Sequence, residues 1–429
     1  MLTYKGQLCN YFGLAERVLP AAPPRPCSLT LRADRVLGSA VTRCRAVDFT
    51  INMKKIIIIG GGFAGLSCAR RLAKSGLKLE VFLFDKREHF DFLPLLPDAI
   101  GREISLGFLK YNINDLLRKL KFKFINEEVA SVDLGSRQAA TAASTYTYDY
   151  LVVASGSQTN FFGKSNIQDR AYTLNSADDV KKIQEALGAD RFENFVICGG
   201  GYTGVEAATN LWLYFKKKGL TKKIIIVERS PAILGLLPEW MRLYALGNLK
   251  GMGIDILANS SVEGIDGDST VVSGGRVFTK AMVIWVPGVR TADFIQRMPV
   301  EKNPQGRIVV DDYLRFSRDC FCCGDTAYFG VKNNFLRMAV QFSIAEGDQA
   351  AINIIRSIKS LPLKKFKPLD IGYIIPMANN RSCGAVFGLK VKGLLATLLH
   401  FIMCIYRSMG LRNKMGIMAG LITQGGARC

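Results

Sequence analysis

Lys54-Lys55-Ile56-Ile57-Ile58-Ile59-Gly60-Gly61-Gly62-Phe63-Ala64-Gly65 decides the fold. Consecutive isoleucines, β-branched and apolar, suit a strand buried on both faces of a parallel sheet. The glycines permit a tight turn, and Leu66 to Ala73 reads as a helix. Gly60, Gly62 and Gly65 fit G-x-G-x-x-G: one glycine for the turn, one for close approach of backbone to a pyrophosphate, one for close helix–strand packing. A helix opening on such a turn directs unpaired N–H groups at phosphate. Phe63 and Ala64, in its first turn, join the candidate contacts. A second strand, Leu79 to Phe84, ends at Asp85, about where an acid grips a ribose hydroxyl, with Lys86 beside it.

The pattern returns at Phe195-Val196-Ile197-Cys198-Gly199-Gly200-Gly201-Tyr202-Thr203-Gly204-Val205-Glu206. A helix follows to about Lys217, then a strand, Ile224 to Val227, capped by Glu228. One glycine fingerprint is a weak signal. Two complete strand–turn–helix–strand–acid units in order are hard to obtain by chance. Each such unit binds one dinucleotide, here through Gly199, Gly201, Gly204, Tyr202 and Thr203 in the second. Glu228 suits the free 2′-hydroxyl of NAD and repels a 2′-phosphate. Arg229 beside it works against that preference, which leaves NADPH as the less favoured cofactor.

The segments between complete the set. Tyr150 to Val153 is a buried strand running into Ala154, Ser155 and Gly156, small residues against which a flat cofactor can lie. Ala281 to Pro287 repeats that design and ends at Gly288. Cys320-Phe321-Cys322-Cys323-Gly324-Asp325 ends a further strand at an acid. Phe122 to Val132, which contains the candidate contact Val129, and Ala139 to Tyr146 predict antiparallel strands. Tyr111 to Leu120 predicts a short helix, Ser176 caps another to Leu187, and Val262 to Thr279 predicts a hairpin turning at Gly274-Gly275. Ala339 to Ile358 predicts a long helix.

At 429 residues, 49% of them apolar, the chain can bury two or three domains. Its net charge of +21 admits nucleic acid, anionic lipid or acidic partners. No nucleic-acid module and no basic run interleaved with aromatics supports the first, so nucleic acid is not an expected partner. Eleven cysteines without framework spacing suggest a reducing compartment. Cys320 and Cys322 share one strand face and Cys323 the other, without a histidine nearby, which favours buried packing over a metal site. The two histidines, His89 and His400, read as packing or surface residues. Residues 1–52, rich in Arg and broken by Ala21-Ala22-Pro23-Pro24-Arg25-Pro26, read as an extension outside the fold, with a mitochondrial transit peptide as the alternative.

Two fingerprints, an alanine–serine–glycine strand end between them and a late glycine–aspartate resemble the two-dinucleotide flavoprotein oxidoreductases, from about Met53 to Ile358. That resemblance implies an α/β fold of two Rossmann-like domains. An FAD domain would cover 53–165 and 296–358, and an NAD(P)H domain 166–295. It implies FAD on Gly60, Gly62, Gly65, Asp85, Ala154, Ser155, Gly156, Gly324 and Asp325. It implies NADH on Gly199, Gly201, Gly204, Glu206 and Glu228. Disulfide reductases of this group need a close cysteine pair beside the flavin, and no cysteine lies between Cys68 and Cys198. What remains is most similar to the type II NADH dehydrogenases. Phe90-Asp91-Phe92-Leu93-Pro94-Leu95-Leu96 resembles their F-x-F-x-P-L-L segment, and Gln341 matches the first glutamine of their quinone-side A-Q-x-A-x-Q-x-G pattern. Ala345 replaces the second glutamine. The resemblance implies hydride transfer from NADH to FAD and electron transfer to a quinone without proton pumping, with Glu206 and Gln341 as candidate catalytic residues. The rival readings are a soluble flavin reductase of an iron–sulfur carrier and a non-catalytic NADH sensor.

Residues 359–429 predict a membrane-surface tail. Gly393 to Tyr406 is apolar but shorter than the roughly 20 residues a bilayer needs. Lys390 and Lys392 precede it, and Arg407, Arg412 and Lys414 follow. Basic flanks around an apolar body suit a helix lying in the membrane interface. The expected location is the cytoplasmic face of the cell membrane, peripheral or monotopic. The alternative is a buried helix or a homodimer contact.

Overall fold

The computed structural model describes residues 53–102, 104–117, 120, 122–331 and 334–422. The extension expected at 1–52 lies outside them. β1 (Lys54–Ile59) passes through the glycine turn into α1 (Phe63–Ala73) and β2 (Leu79–Phe84). A one-turn helix, α2 (Asp98–Gly101), precedes β3 (Lys123–Ile125) and β4 (Tyr150–Val153). The second unit is β5 (Asn194–Cys198), α3 (Tyr202–Lys218), β6 (Lys223–Val227), β7 (Asp255–Leu257) and β8 (Ala281–Trp285). β9 (Arg315–Ser317), β10 (Cys320–Cys322) and α4 (Val340–Ile358) follow. The tail folds as β11 (Gly372–Ile375), β12 (Ser382–Val386), β13 (Leu389–Lys392), α5 (Gly393–Arg407) and α6 (Leu411–Ile422).

Two parallel sheets carry the molecule. The first has the order β9-β10-β4-β1-β2-β3, with only β9 antiparallel to its neighbour. The second has the order β7-β6-β5-β8, all parallel. In each sheet the glycine-turn strand is central. Strand alternation sends Ile56 and Ile58 into the core that holds α1, and Ile57 and Ile59 into the core on the opposite face. α1 lies close against α4 because Gly347 of α4 has no side chain there, and close to its own turn because Gly65 has none. A Cβ on Gly347 would collide with the Ala64 carbonyl, and one on Gly65 with the Gly60 carbonyl.

Several sequence expectations are corrected. Phe122 to Val132 is not one strand. β3 joins β2 in parallel, the polar Asn126-Glu127-Glu128 interrupts, and Val129–Asp133 then pairs antiparallel with Gln138–Thr141. Tyr111 lies in a strand, and among the described residues of this stretch helix covers Ile113–Leu117. Val262 to Thr279 holds three strands, because a second turn at Gly267 adds to the one at Gly274-Gly275. Ser176 caps Ala177–Gly188 as expected, its hydroxyl accepting from the Asp179 N–H at 3.1 Å. No helix among the described residues is long and apolar enough to cross a membrane. α5 instead buries Ala396, Thr397, Phe401 and Cys404 toward the protein and leaves Leu394, Leu395, Leu398 and Ile402 half or more exposed.

Candidate active site

Register assembles the site. Ile59 pairs with Phe84 and Val153, and Val153 with Cys322, so four strands end at one level. The residues that follow, Gly60, Asp85, Ala154 to Gly156 and Cys323 to Asp325, therefore share the carboxyl edge of the sheet, where such folds bind ligands. Gly60 turns at a φ of 110°, in the left-handed region, and its absent Cβ leaves room for the Ala154 carbonyl. The second unit repeats this: Cys198 pairs with Val227 and Trp285, and Gly199 turns at a φ of 105°. Gly62 and Gly201 share one conformation, φ −78° and ψ −167°, and at both a Cβ would meet open space. That space is what a pyrophosphate needs.

The two acids do equivalent work. Asp85 Oδ2 accepts from the Gly61 N–H at 2.7 Å, and Glu228 Oε2 from the Gly200 N–H at 2.6 Å. Each thus holds its glycine turn and keeps lone pairs for a ribose hydroxyl. Phe63 and Ala64 form the first turn of α1. Their side chains are buried, Phe63 edge-on to Phe90 and Phe92, so only their backbone can serve a ligand. The cysteines also separate: Cys320 and Cys322 lie in one core and Cys323 in another. Cys320 and Cys323 have C-x-x-C spacing in sequence, yet the strand points them apart.

A cavity of about 790 Å³ gathers most of the remaining candidates. Gly60, Asp85, Lys86 and Val129 line one end, and Ser155, Gly156 and Asp325 the middle. Tyr202, Thr203, Glu206, Gln341 and His400 complete the lining. A separate cleft of about 850 Å³, lined by Gln158 to Gly163 and Arg170 to Thr173, holds none of the glycine-turn residues. Gly199, Gly201, Gly204, Glu228 and Gly288 belong to the second cradle, outside the cavity's lining.

Asp325 accepts from the Ser157 hydroxyl at 2.9 Å, and burial raises its pKa against the pull of Ser157 and Arg307. The turn before it is held by Glu346, whose Oε2 accepts from the Gly324 N–H at 2.6 Å. Burial pushes Glu346 up to about 8. Arg307 Nε donates to the Asp325 carbonyl at 2.9 Å, while its Nη1 is buried with no partner among the described residues.

At the far end, burial pushes Glu206 up to about 8, with His400 lowering it and Asp98 raising it. Although the cavity reaches Glu206, protein surrounds the carboxyl on its other sides. His400 Nε2 lies 3.5 Å from Asp98 Oδ2. Gln341 Nε2 donates to Asp370 at 3.1 Å, and Gln341 Oε1 is buried without a partner among the described residues. The sequence read His400 as a packing or surface residue and did not single out Asp98 or Arg307; His400 lines the cavity and Arg307 holds the Asp325 carbonyl. No local pattern marks them, and His400 reaches the cavity only because the tail folds back.

The residues present fit a flavin dinucleotide: open backbone at Gly62, and, lining one cavity, an acid for ribose at Asp85 and a half-buried acid at Asp325. The chain matches the pyridine nucleotide-disulphide oxidoreductase family over residues 54–347. It is 24% identical over 369 residues to a type II NADH:quinone oxidoreductase of Staphylococcus saprophyticus, covering 79% of this chain and 91% of the relative. The Staphylococcus aureus enzyme of that name is 24% identical over 375 residues, covering 79% and 91%. Among solved structures, NDH2 from Plasmodium falciparum in complex with NADH superposes with a TM-score of 0.77 at 18% identity, covering 87% of this chain and 98% of that one. The sulfide:quinone oxidoreductase of Aquifex aeolicus superposes at 0.70 with 19% identity, covering 85% and 92%. With its doubled cradle and the family match across most of the described chain, this protein is an oxidoreductase of the pyridine nucleotide-disulphide oxidoreductase family.

Proposed function

We propose that this chain is an FAD-dependent NADH dehydrogenase that passes electrons to a membrane quinone without pumping protons. The observation that carries the reading is the single cavity joining the first nucleotide cradle to Glu206, Gln341 and the tail. In this reading residues 53–165 and 296–358 hold FAD, and 166–295 hold NADH. Gly60, Gly62 and Gly65 admit the pyrophosphate, Asp85 takes a ribose, and Asp325, held by Arg307 and Glu346, takes the ribityl chain. Bound flavin supplies hydride acceptance and electron transfer. Glu228 selects NADH by accepting from its 2′-hydroxyl. Glu206 borders the cavity as a protonated carboxyl near neutral pH. Gln341 offers its unpartnered Oε1, and the Nε2 it shares with Asp370, to the head of an acceptor entering from the tail side.

The exposed apolar face of the tail supports a membrane-surface location, which this reading places on the cytoplasmic face. The exposed leucines and isoleucine of α5 would lie in the interface, with Lys390, Lys392, Arg407, Arg412 and Lys414 at the headgroups. Apolar burial at about 1.5–3 kcal/mol per side chain outweighs about 1 kcal/mol per basic residue. The net charge of +21 favours a second reading, a reductase of an acidic iron–sulfur carrier. Stopped-flow reduction by NADH, then reoxidation by menadione, decylubiquinone or ferredoxin, separates the two. Quinone reoxidation at turnover rates is expected. A purified chain that is colourless and cannot be reconstituted with FAD would falsify both.

A further inference from the structure

β12 and β13 are joined by a two-residue turn, Phe387-Gly388, with φ of 49° and 78°. Turns with both φ values positive favour asparagine and glycine, since a bulky side chain is strained there. Phe387 holds that conformation while 73% exposed, and Leu389 beside it is equally bare. A strained aromatic kept in solvent is an outlier that points to a use. The surface next to it belongs to the second nucleotide unit. There the helix Glu239–Gly251 is tied to the tail by an amide pair: Asn248 Nδ2 donates to Asn379 Oδ1 at 3.1 Å, and Asn379 Nδ2 to Asn248 Oδ1 at 2.7 Å. Lys392 Nζ stands 5.1 Å from the centre of the Trp240 ring and 5.2 Å from that of Tyr244, and Lys390 Nζ stands 5.5 Å from Trp240. Leu243 is exposed on the same helix, and Leu236, in the loop before it, is 97% exposed. Lys392 directly precedes α5, so this surface adjoins the first turn of that helix and its exposed Leu394 and Leu395.

We propose that the second nucleotide unit, and not the tail helix alone, lies on an anionic lipid bilayer. Leu236, Leu243, Phe387 and Leu389 enter its surface, and Trp240, Tyr244, Lys390 and Lys392 sit among the headgroups. The inference deepens the membrane-surface reading above and rests on it. Chemistry selects the occupant. Indole and phenol rings suit the headgroup layer, which is apolar on one side and wet on the other. The lysines lay their stems along those rings and keep the ammonium at the lipid phosphates. No Asp or Glu follows Asp370 in the sequence, and Glu239 is the only acid in 236–250, against Arg242 and Lys250. A second copy docked on this face would set basic surface against basic surface, whereas an anionic bilayer attracts it. The contact adds to that of α5 and does not replace it. With the amide pair at Asn248 and Asn379 fixing the two surfaces to each other, it sets how the second nucleotide unit lies over the membrane.

The full-length holoprotein is mixed with vesicles of phosphatidylcholine and phosphatidylglycerol in equal parts, with or without bromine on the acyl chains. Bromine quenches an indole that reaches the bilayer. Of the three tryptophans, Trp285 is buried and Trp212 lies on α3, so W240F should remove most of the quenching seen in the wild type. The L236E/F387E variant changes only exposed side chains. It should be reduced by NADH in detergent at the wild-type rate, while its partition onto these vesicles falls by about tenfold or more. In K390Q/K392Q the preference for these vesicles over phosphatidylcholine alone should narrow severalfold. Quenching that W240F leaves intact, unchanged partition of L236E/F387E, or an unchanged lipid preference in K390Q/K392Q overturns the proposal, and the membrane-surface reading then stands on α5. A wild type that sediments with no vesicle sinks that reading, and this inference with it. A wild-type dimer in detergent that L236E/F387E turns into a monomer would make the face a contact between two copies, and overturns the proposal too.

Discussion

Glu346→Gln tests how the flavin cradle is held. Glu346 lies on α4, is 3% exposed, and accepts the Gly324 N–H that precedes Asp325. Burial raises it from the ordinary 4.5 to about 8. Between those values the folded chain keeps a proton there that the unfolded chain releases, so stability falls as pH rises. One proton corresponds to about 1.4 kcal/mol per pH unit, and a span of about 3.5 units to something on the order of 4–5 kcal/mol. That is a large part of the roughly 5–15 kcal/mol by which proteins are stable. Glutamine keeps the volume and an acceptor for Gly324 but cannot titrate. Urea unfolding of both holoproteins from pH 5 to pH 9 reads the difference directly. The variant should match the wild type near pH 5 and gain on it by several kcal/mol by pH 9. Glu206 titrates in both proteins and cancels in the difference. Parallel curves would mean that Glu346 is ionised throughout, and the argument from burial would be wrong.

Three further outcomes are expected. Gly65→Ala drives a Cβ into the Gly60 carbonyl; a loss of about 1–3 kcal/mol and release of flavin during gel filtration should follow, and full flavin retention would count against the cradle. Glu228→Gln removes the charge at the second ribose, so the NADH KM should rise and the NADPH KM fall, each by about tenfold, or ~1.4 kcal/mol; steady-state kinetics with both cofactors checks this. Replacing Leu394, Leu398 and Ile402 together by Glu should abolish co-sedimentation with liposomes, whereas high salt should leave the wild type bound. Release of the wild type by salt would show that charge, not apolar burial, holds it.

The sequence by itself determined the doubled nucleotide cradle. Its signals are local: isoleucine runs for buried strands, glycines where backbone must turn or be approached, and an acid at the end of the next strand. These constraints act within some thirty residues, so they can be read from order and spacing. The tertiary structure decided which of these loops share an edge, because β4 pairs with both β1 and β10, so that Val153 aligns Ile59 with Cys322, 263 positions away (322 minus 59). It buried the side chains of Phe63, against Phe90 and Phe92, and of Ala64, beside Gly347 of α4. It also brought His400 to Asp98 and Glu206. A histidine on an apolar helix has no mark in sequence of what it will face; that it lines the cavity follows from which face the tail lays inward, and that is settled by long-range packing.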